Sequence, residues 1–285
     1  MRSRAAVANP SRSSMMEGMQ WGSRPIGPMG LEGVAAVLAV KDLDSAKTRL
    51  AASLRVTGHC RHRAGGTVGA HRDLVLAMLA DTIGALGAAG VADIAVVTPD
   101  DAVLRVAAEV GAIGIRERPA VDHGHRPVHG KAHSDGFTSR GVDPLNRAYA
   151  QGAMALSADR PGVHTMVLVQ ADLPAATPRS LREVLAAAAG HRQAVLGDRD
   201  GTGTTLLVRD ASESAPPRFG VDSLTAHINA GAIDLDPTGL LWPDLRTDVD
   251  TATDLDAARL LGLGPRTIAV LDPSQPGVSG SVDAS

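Results

Sequence analysis

Three aspartates stand where a carboxylate can reach the edge of a sheet. Asp172 follows the apolar run Thr165-Met166-Val167-Leu168-Val169, within Gln170-Ala171-Asp172-Leu173-Pro174. A carboxylate leaving a buried strand can ligate a hard cation; the plainer reading is a turn residue ahead of Pro174. Asp248 and Asp250 alternate around Val249, so in an extended segment both side chains face the same side. Their plainer role is capping a helix that starts at Thr251, which would need one of them but not both. Three carboxylates from separate strand ends are what a two-magnesium site would use.

Cations and backbone donors supply the other half of a possible anion site. Lys41, Lys47 and Arg49 lie just after the apolar run 34–40. They can hold a polyphosphate, or form a solvated loop balanced by Asp42 and Asp44. Gly201-Thr202-Gly203-Thr204 can turn backbone N–H groups toward an anion, or simply close a hairpin. Arg218-Phe219-Gly220-Val221-Asp222-Ser223 precedes a short helical stretch. There N–H groups and Ser223 can meet a phosphate or carboxylate, or Asp222 or Ser223 can merely cap the helix. His123, His125, His129 and His133 are separated by glycines, with no carboxylate frame, and read as loop rather than metal ligands. No P-loop, dinucleotide fingerprint or nucleophile elbow is present.

These residues need a sheet to bring them together. Runs at 34–40, 94–97, 112–115, 165–169, 194–196, 204–208 and 232–235 read as strands. Between and after them, 73–88, 101–110, 144–158, 178–189, 223–230 and 251–261 read as helices, with Asp100 a cap for the second and Pro178 in the first turn of the fourth. Residues 41–50 read as a polar loop, 55–70 show no periodicity, and 116–141 read as a long surface loop. Alternating strands and helices predict an α/β fold: one Rossmann-like domain whose mostly parallel sheet is covered by helices on both faces. Ligands of such sheets lie at the carboxyl ends of the strands, where the aspartates and lysines fall. The domain is expected over 33–265, with tails at 1–32 and 266–285.

Composition narrows the partners. Aromatics are 2% of the 285 residues, and the net charge is -3. Neither a stacking platform nor a basic surface for nucleic acid is expected. No apolar run approaches the roughly 20 residues that span a bilayer. A single cysteine, Cys60, excludes an intrachain disulfide and suits a cytoplasmic protein.

Taken in order, the motifs resemble a known family. Ala39-Val40-Lys41 with Ala46-Lys47-Thr48-Arg49-Leu50 is similar to the opening motif of the 2-phospho-L-lactate/phosphoenolpyruvate guanylyltransferases of coenzyme F(420) biosynthesis. Similar segments follow at 76–82, Val97-Thr98-Pro99-Asp100, Asp143-Pro144-Leu145-Asn146, Asp172-Leu173-Pro174, Gly201-Thr202-Gly203-Thr204, Arg218-Phe219-Gly220 with Ser223 and His227, and Asp248-Val249-Asp250-Thr251 with Asp254-Leu255. The resemblance spans about 33–265.

It implies a glycosyltransferase-A-type nucleotidyltransferase fold, GTP as donor and Mg²⁺ as cofactor. It implies that Asp172 and Asp248 hold the metal with Asp250 assisting, and that Thr204, Gly220 and Ser223 bind a small phosphorylated acid. Lys41, Lys47 and Arg49 would face the GTP phosphates, with Asn146 and Thr98 near the nucleotide. The alanine-rich composition and the Arg218-Phe219-Gly220 context look actinobacterial, which favours phosphoenolpyruvate over 2-phospho-L-lactate. Coupling to the next F(420)-precursor transferase is a further implication. Other acceptors, such as 3-phosphoglycerate, a molybdopterin or a sugar phosphate, are the alternatives, as is a nucleotide-binding protein without catalysis. Two departures stand out. Ala171 replaces a usual glycine beside Asp172, and the segments at about 56–70 and 120–141 are longer than usual.

Overall fold

The structure, a computed structural model, describes residues 31–43, 48–57, 66–119 and 143–272. The first half contains β1 (Val34–Ala39), α1 (Thr48–Thr57), α2 (Gly66–Ala89), β2 (Asp93–Thr98), α3 (Asp101–Glu109), β3 (Ile113–Arg116) and α4 (Pro144–Asp159). The second contains β4 (Thr165–Val169), α5 (Pro178–Ala188), β5 (Gln193–Gly197), β6 (Thr204–Asp210), α6 (Ser223–Asn229), β7 (Ile233–Asp234), α7 (Pro243–Arg246), α8 (Ala252–Leu261) and α9 (Pro265–Leu271).

The strands form one mixed sheet in the order β3-β2-β1-β4-β6-β5-β7. β3, β2, β1 and β4 run parallel; β6 is antiparallel to both β4 and β5, and β7 is parallel to β5. The reversal matters for the site. β6 pairs Leu206 with Val169, so its first residue, Thr204, lies at the edge where β1 and β4 end.

Both faces are covered, as a near-continuous apolar run in the central strands requires. Ala36 and Leu38 of β1 pack with α1, α2, α3, α5 and α8 in one core. Ala35, Val37 and Ala39 face α4, with Tyr149 and Phe219, in the other. Small residues on that second face let α4 come close. A Cβ at Gly152 would lie 2.5 Å from Val37 Cγ1 and 2.8 Å from Val97 Cγ2.

Four elements differ from the sequence expectation. Leu50 and Leu54, one turn apart and both buried, make α1 where a polar loop is expected. α2 begins at Gly66 rather than Asp73. It is apolar nearly all round because α1, α3, α5 and α9 pack about it. The short α7 carries no periodicity long enough to read. α9 occupies what reads as the start of the C-terminal tail. Its N-terminal N–H groups are capped from far along the chain, Arg266 N and Thr267 N donating to the two carboxylate oxygens of Asp81 on α2, at 3.1 and 2.8 Å. The expected tail at 1–32 save its last two residues, residues 58–65 and 120–142, and the histidines at 123–133 lie outside the described residues. Among the described residues no helix is long and apolar enough to cross a membrane.

Candidate active site

A cleft of about 900 Å³ opens at the carboxyl ends of β1 and β4. Lys41, Arg49, Asp172, Asp248 and Asp250 line it, together with Thr204, Gly220 and Ser223. The fold thus assembles into one cavity residues that are separated by up to about two hundred positions.

One carboxylate oxygen each from Asp172, Asp248 and Asp250 lies within 4.8 Å of the others. Asp172 is buried while Asp248 and Asp250 are half-buried. The two segments are stitched together by Val249 N donating to Asp172 O at 3.1 Å. Neither Asp248 nor Asp250 caps α8. That task belongs to Thr251 and Asp254, which form a reciprocal capping box. Both residues line the cleft, and the helix-cap reading is set aside. Ala171 has no positive φ, so the departure from glycine leaves the backbone beside Asp172 unstrained.

Three carboxylates this close repel one another by about 3 kcal/mol per pair at an effective dielectric of 20. A cation relieves that repulsion, and oxygen donors at strand ends suit a hard divalent ion. Arg49 supplies part of the charge, pairing its guanidinium with Asp250. Lys41 is exposed on the same wall. Lys47 lies outside the described residues.

The opposite wall is built from loops. Thr202 N and Gly203 N donate to the two carboxylate oxygens of Asp198, at 2.9 and 2.8 Å. The glycine turn is thus closed on its own aspartate, and those two N–H groups are not offered to an anion. Likewise Ser223 N and Leu224 N, at the start of α6, donate to Gly220 O and Thr202 O. Asp222 stands at the N-cap in a left-handed conformation but makes no side-chain cap. What faces the cleft here is Thr204, Gly220 and the α6 entry loop. Gly220 has φ 127°, a conformation natural only to glycine.

Asn146 and Thr98 take supporting positions and do not line the cleft. The Asn146 amide grips the backbone of Phe219, Nδ2 donating to its carbonyl at 2.9 Å and Oδ1 accepting its N–H at 2.8 Å. Thr98 is fully buried, and its hydroxyl accepts from Asp100 N. Asp100 in turn caps α3 and accepts from Leu43 N. Burial pushes the Asp100 carboxyl up, but the N–H groups of Ala102, Leu43 and Val103 and the Arg72 charge bring it net below its ordinary value.

Several residues behind the site carry no motif signal. Arg246 Nη1 pairs with Asp236 at 2.6 Å, both side chains being almost wholly buried. Its Nη2 donates to Asp198 O at 2.7 Å, and its own carbonyl accepts from Arg199 N. Arg199 reaches on to Asp254 at 2.7 Å. One network therefore links the turn beneath Thr204 to the segment carrying Asp248 and Asp250. Only the spatial meeting of positions 198, 236 and 246 reveals it.

No family model matches the chain. Similar proteins include the phosphoenolpyruvate guanylyltransferase of Nocardia farcinica, 45% identical over 240 residues, which are 84% of this chain and 90% of that protein. Those of Rhodococcus erythropolis and Mycolicibacterium smegmatis are each 40% identical, over 83% and 82% of this chain and 94% and 88% of their own lengths. Among solved structures, a putative nucleotide-diphospho-sugar transferase from Desulfovibrio desulfuricans matches with a TM-score of 0.52 at 17% identity, over 80% of this chain and 86% of that one. A nucleotidyl transferase from Methanothermobacter matches at 0.50 and 16% identity, over 80% and 97%. The structural likeness shows the fold, and the sequence relatives show more: this chain belongs to the phosphoenolpyruvate guanylyltransferase family of nucleotidyltransferases.

Proposed function

We propose that the protein transfers GMP from GTP to phosphoenolpyruvate, releasing pyrophosphate and forming enolpyruvoyl-2-diphospho-5'-guanosine for coenzyme F(420) biosynthesis. The observation that carries this is the cleft itself, with an acidic cluster and two cations on one wall and Thr204, Gly220 and Ser223 on the other.

The acceptor's phosphate oxygen attacks the α-phosphorus of GTP in line as the bond to pyrophosphate breaks. A phosphate monoester is largely ionised at neutral pH, so the step needs no general base. Asp172 and Asp248, with Asp250, would hold a divalent cation, Mg²⁺ in our reading, which when bound would neutralise the phosphate charge that builds in the transition state. Lys41 and Arg49 face the same phosphates from the β1 side, with Lys47 assigned the same duty from its place in the sequence. Thr204, Gly220 and Ser223 hold the acid, so that the two reacting groups meet at fixed orientation. Asn146 serves by holding Phe219, next to Gly220, and Thr98 by anchoring the loop after β2. We place the reaction in the cytoplasm, coupled to the transferase that consumes the guanylated product.

The test is pyrophosphate release from GTP and Mg²⁺, with phosphoenolpyruvate, 2-phospho-L-lactate and 3-phosphoglycerate offered separately. Release with phosphoenolpyruvate, lost on Asp172→Ala in protein that keeps its circular dichroism, is the expected result. Release with another acid alone reassigns the acceptor. Silence with all three, in protein that binds GTP, refutes the reading.

A further inference from the structure

The chain has one tyrosine and two phenylalanines, and it places two of these three rings behind the acid-binding wall. Tyr149 of α4 stacks on Phe219 with centroids 4.4 Å apart, and Phe219 meets His227 of α6 edge-on at 5.3 Å. The aromatic packing and the Asn146 grip on Phe219 fix both the loop at 218–220 and the plane of the imidazole.

Within that setting the His227 ring nitrogens meet Arg218 and Thr204, and the ring also hydrogen-bonds the Ser223 backbone. Arg218 N lies 3.0 Å from Nε2, and Thr204 Oγ1 lies 3.1 Å from Nδ1. A backbone N–H only donates, so Nε2 must be the unprotonated nitrogen. Burial first, then the Arg218 charge, hold the ring neutral at ordinary pH; the Ser223 backbone hydrogen bond works the other way, Arg209 adds a smaller push down, and the pKa comes net to about 4. A neutral ring carries one proton, which the Arg218 contact assigns to Nδ1. A protonated Nδ1 offers no lone pair, so the Thr204 hydroxyl cannot donate to it. Its own proton is left for a different acceptor, and Thr204 lines the cleft.

We infer that His227 is a positioning residue: it turns the Thr204 hydroxyl into a committed donor aimed at the phosphorylated acid. The inference rests on the proposed acid site and adds to it a buried residue that never touches substrate. A ring with the opposite tautomer would consume the hydroxyl proton and present lone pairs to an anion.

The test uses the full chain with GTP, Mg²⁺ and phosphoenolpyruvate, and compares KM for each substrate. His227→Phe keeps an aromatic ring of similar size but removes its hydrogen bonds. It is expected to raise KM for phosphoenolpyruvate on the order of 10- to 100-fold, the range for a hydrogen bond to a charged group, with KM for GTP within about twofold. His227→Gln, which can accept from Arg218 N and donate to Thr204, should recover most of that loss. Thr204→Val should match His227→Phe, and the double variant should be no worse than either alone.

Additive losses, equal rises in both KM values, or a Gln variant no better than Phe overturn the inference by showing a merely structural histidine. Wild-type protein silent with every acid overturns the proposed function and this inference with it. An active wild type beside an unaltered His227→Phe variant overturns only the inference.

Discussion

Arg246→Met tests whether the site is held from behind. Arg246 and Asp236 are buried partners at 2.6 Å, with side-chain exposures of 7% and 1%. Methionine keeps most of the stem's volume, so the loss is electrostatic. Breaking a buried pair from one side costs about 3–5 kcal/mol, because the other charge is stranded. Burial pushes Asp236 up, but Thr238, Leu241, Arg246 and Leu240 bring it net below the ordinary carboxylate value. Three of those four donors survive the substitution, which places the cost near the low end, about 3 kcal/mol.

A domain of this size loses about 2–4 °C of Tm per kcal/mol, so a fall of about 6–12 °C is expected in thermal denaturation. Asp236→Asn with Arg246→Met removes the stranded charge and should recover at least about 1.5 kcal/mol relative to additivity. Because Asp248 lies two residues beyond Arg246, half-maximal Mg²⁺ in the pyrophosphate assay should rise on the order of 10-fold. A Tm loss below about 3 °C without coupling would refute the reasoning, since it would make the pair no better than a surface contact.

Gly152→Ala drives a methyl into Val37 and Val97; a loss of about 1–3 kcal/mol in urea denaturation is expected, with kcat per folded molecule unchanged. Asp81→Ala removes the cap of α9 and should cost about 1–2 kcal/mol; faster proteolysis C-terminal to Leu261, before any loss of the sheet, would mark it. His227 gives a pH signature. Its folded pKa, about 4, lies below the ordinary imidazole value of 6.5, so the unfolded chain takes up the proton first and stability falls as pH drops from 6.5 toward 4. The difference amounts to about 3 kcal/mol. His227→Gln should flatten that part of the Tm–pH curve, and an unchanged curve would count against the buried neutral ring. The lowered carboxylates Asp100 and Asp236 lose their contribution only as pH falls below about 3.8, the aspartate reference region, which keeps the two effects apart.

Much of this protein was legible in its sequence because the signals are local. An apolar run such as Thr165–Val169 is a strand wherever it sits between covering helices, and Asp100 before α3 or Pro178 at the start of α5 mark helix ends by their own chemistry. The alternation of Asp248 and Asp250 around Val249 placed both carboxylates on one side before any partner was known. Whether they would cap α8 or face the cleft was not local: it turned on Asp254 completing the capping box with Thr251. Likewise the glycine turn and the start of α6 looked open to an anion until Asp198, Gly220 and Thr202 took up their N–H groups. The resemblance put Asn146 and Thr98 near the nucleotide; in the fold their polar atoms meet Phe219 and Asp100. α9 and the Arg246–Asp236 pair had no sequence signal, because each depends on groups brought together from distant positions. Residue type and spacing state which hydrogen bonds and charges a chain must satisfy; only the packed fold decides with whom, since the cost of leaving a buried donor or charge unmet is settled in three dimensions.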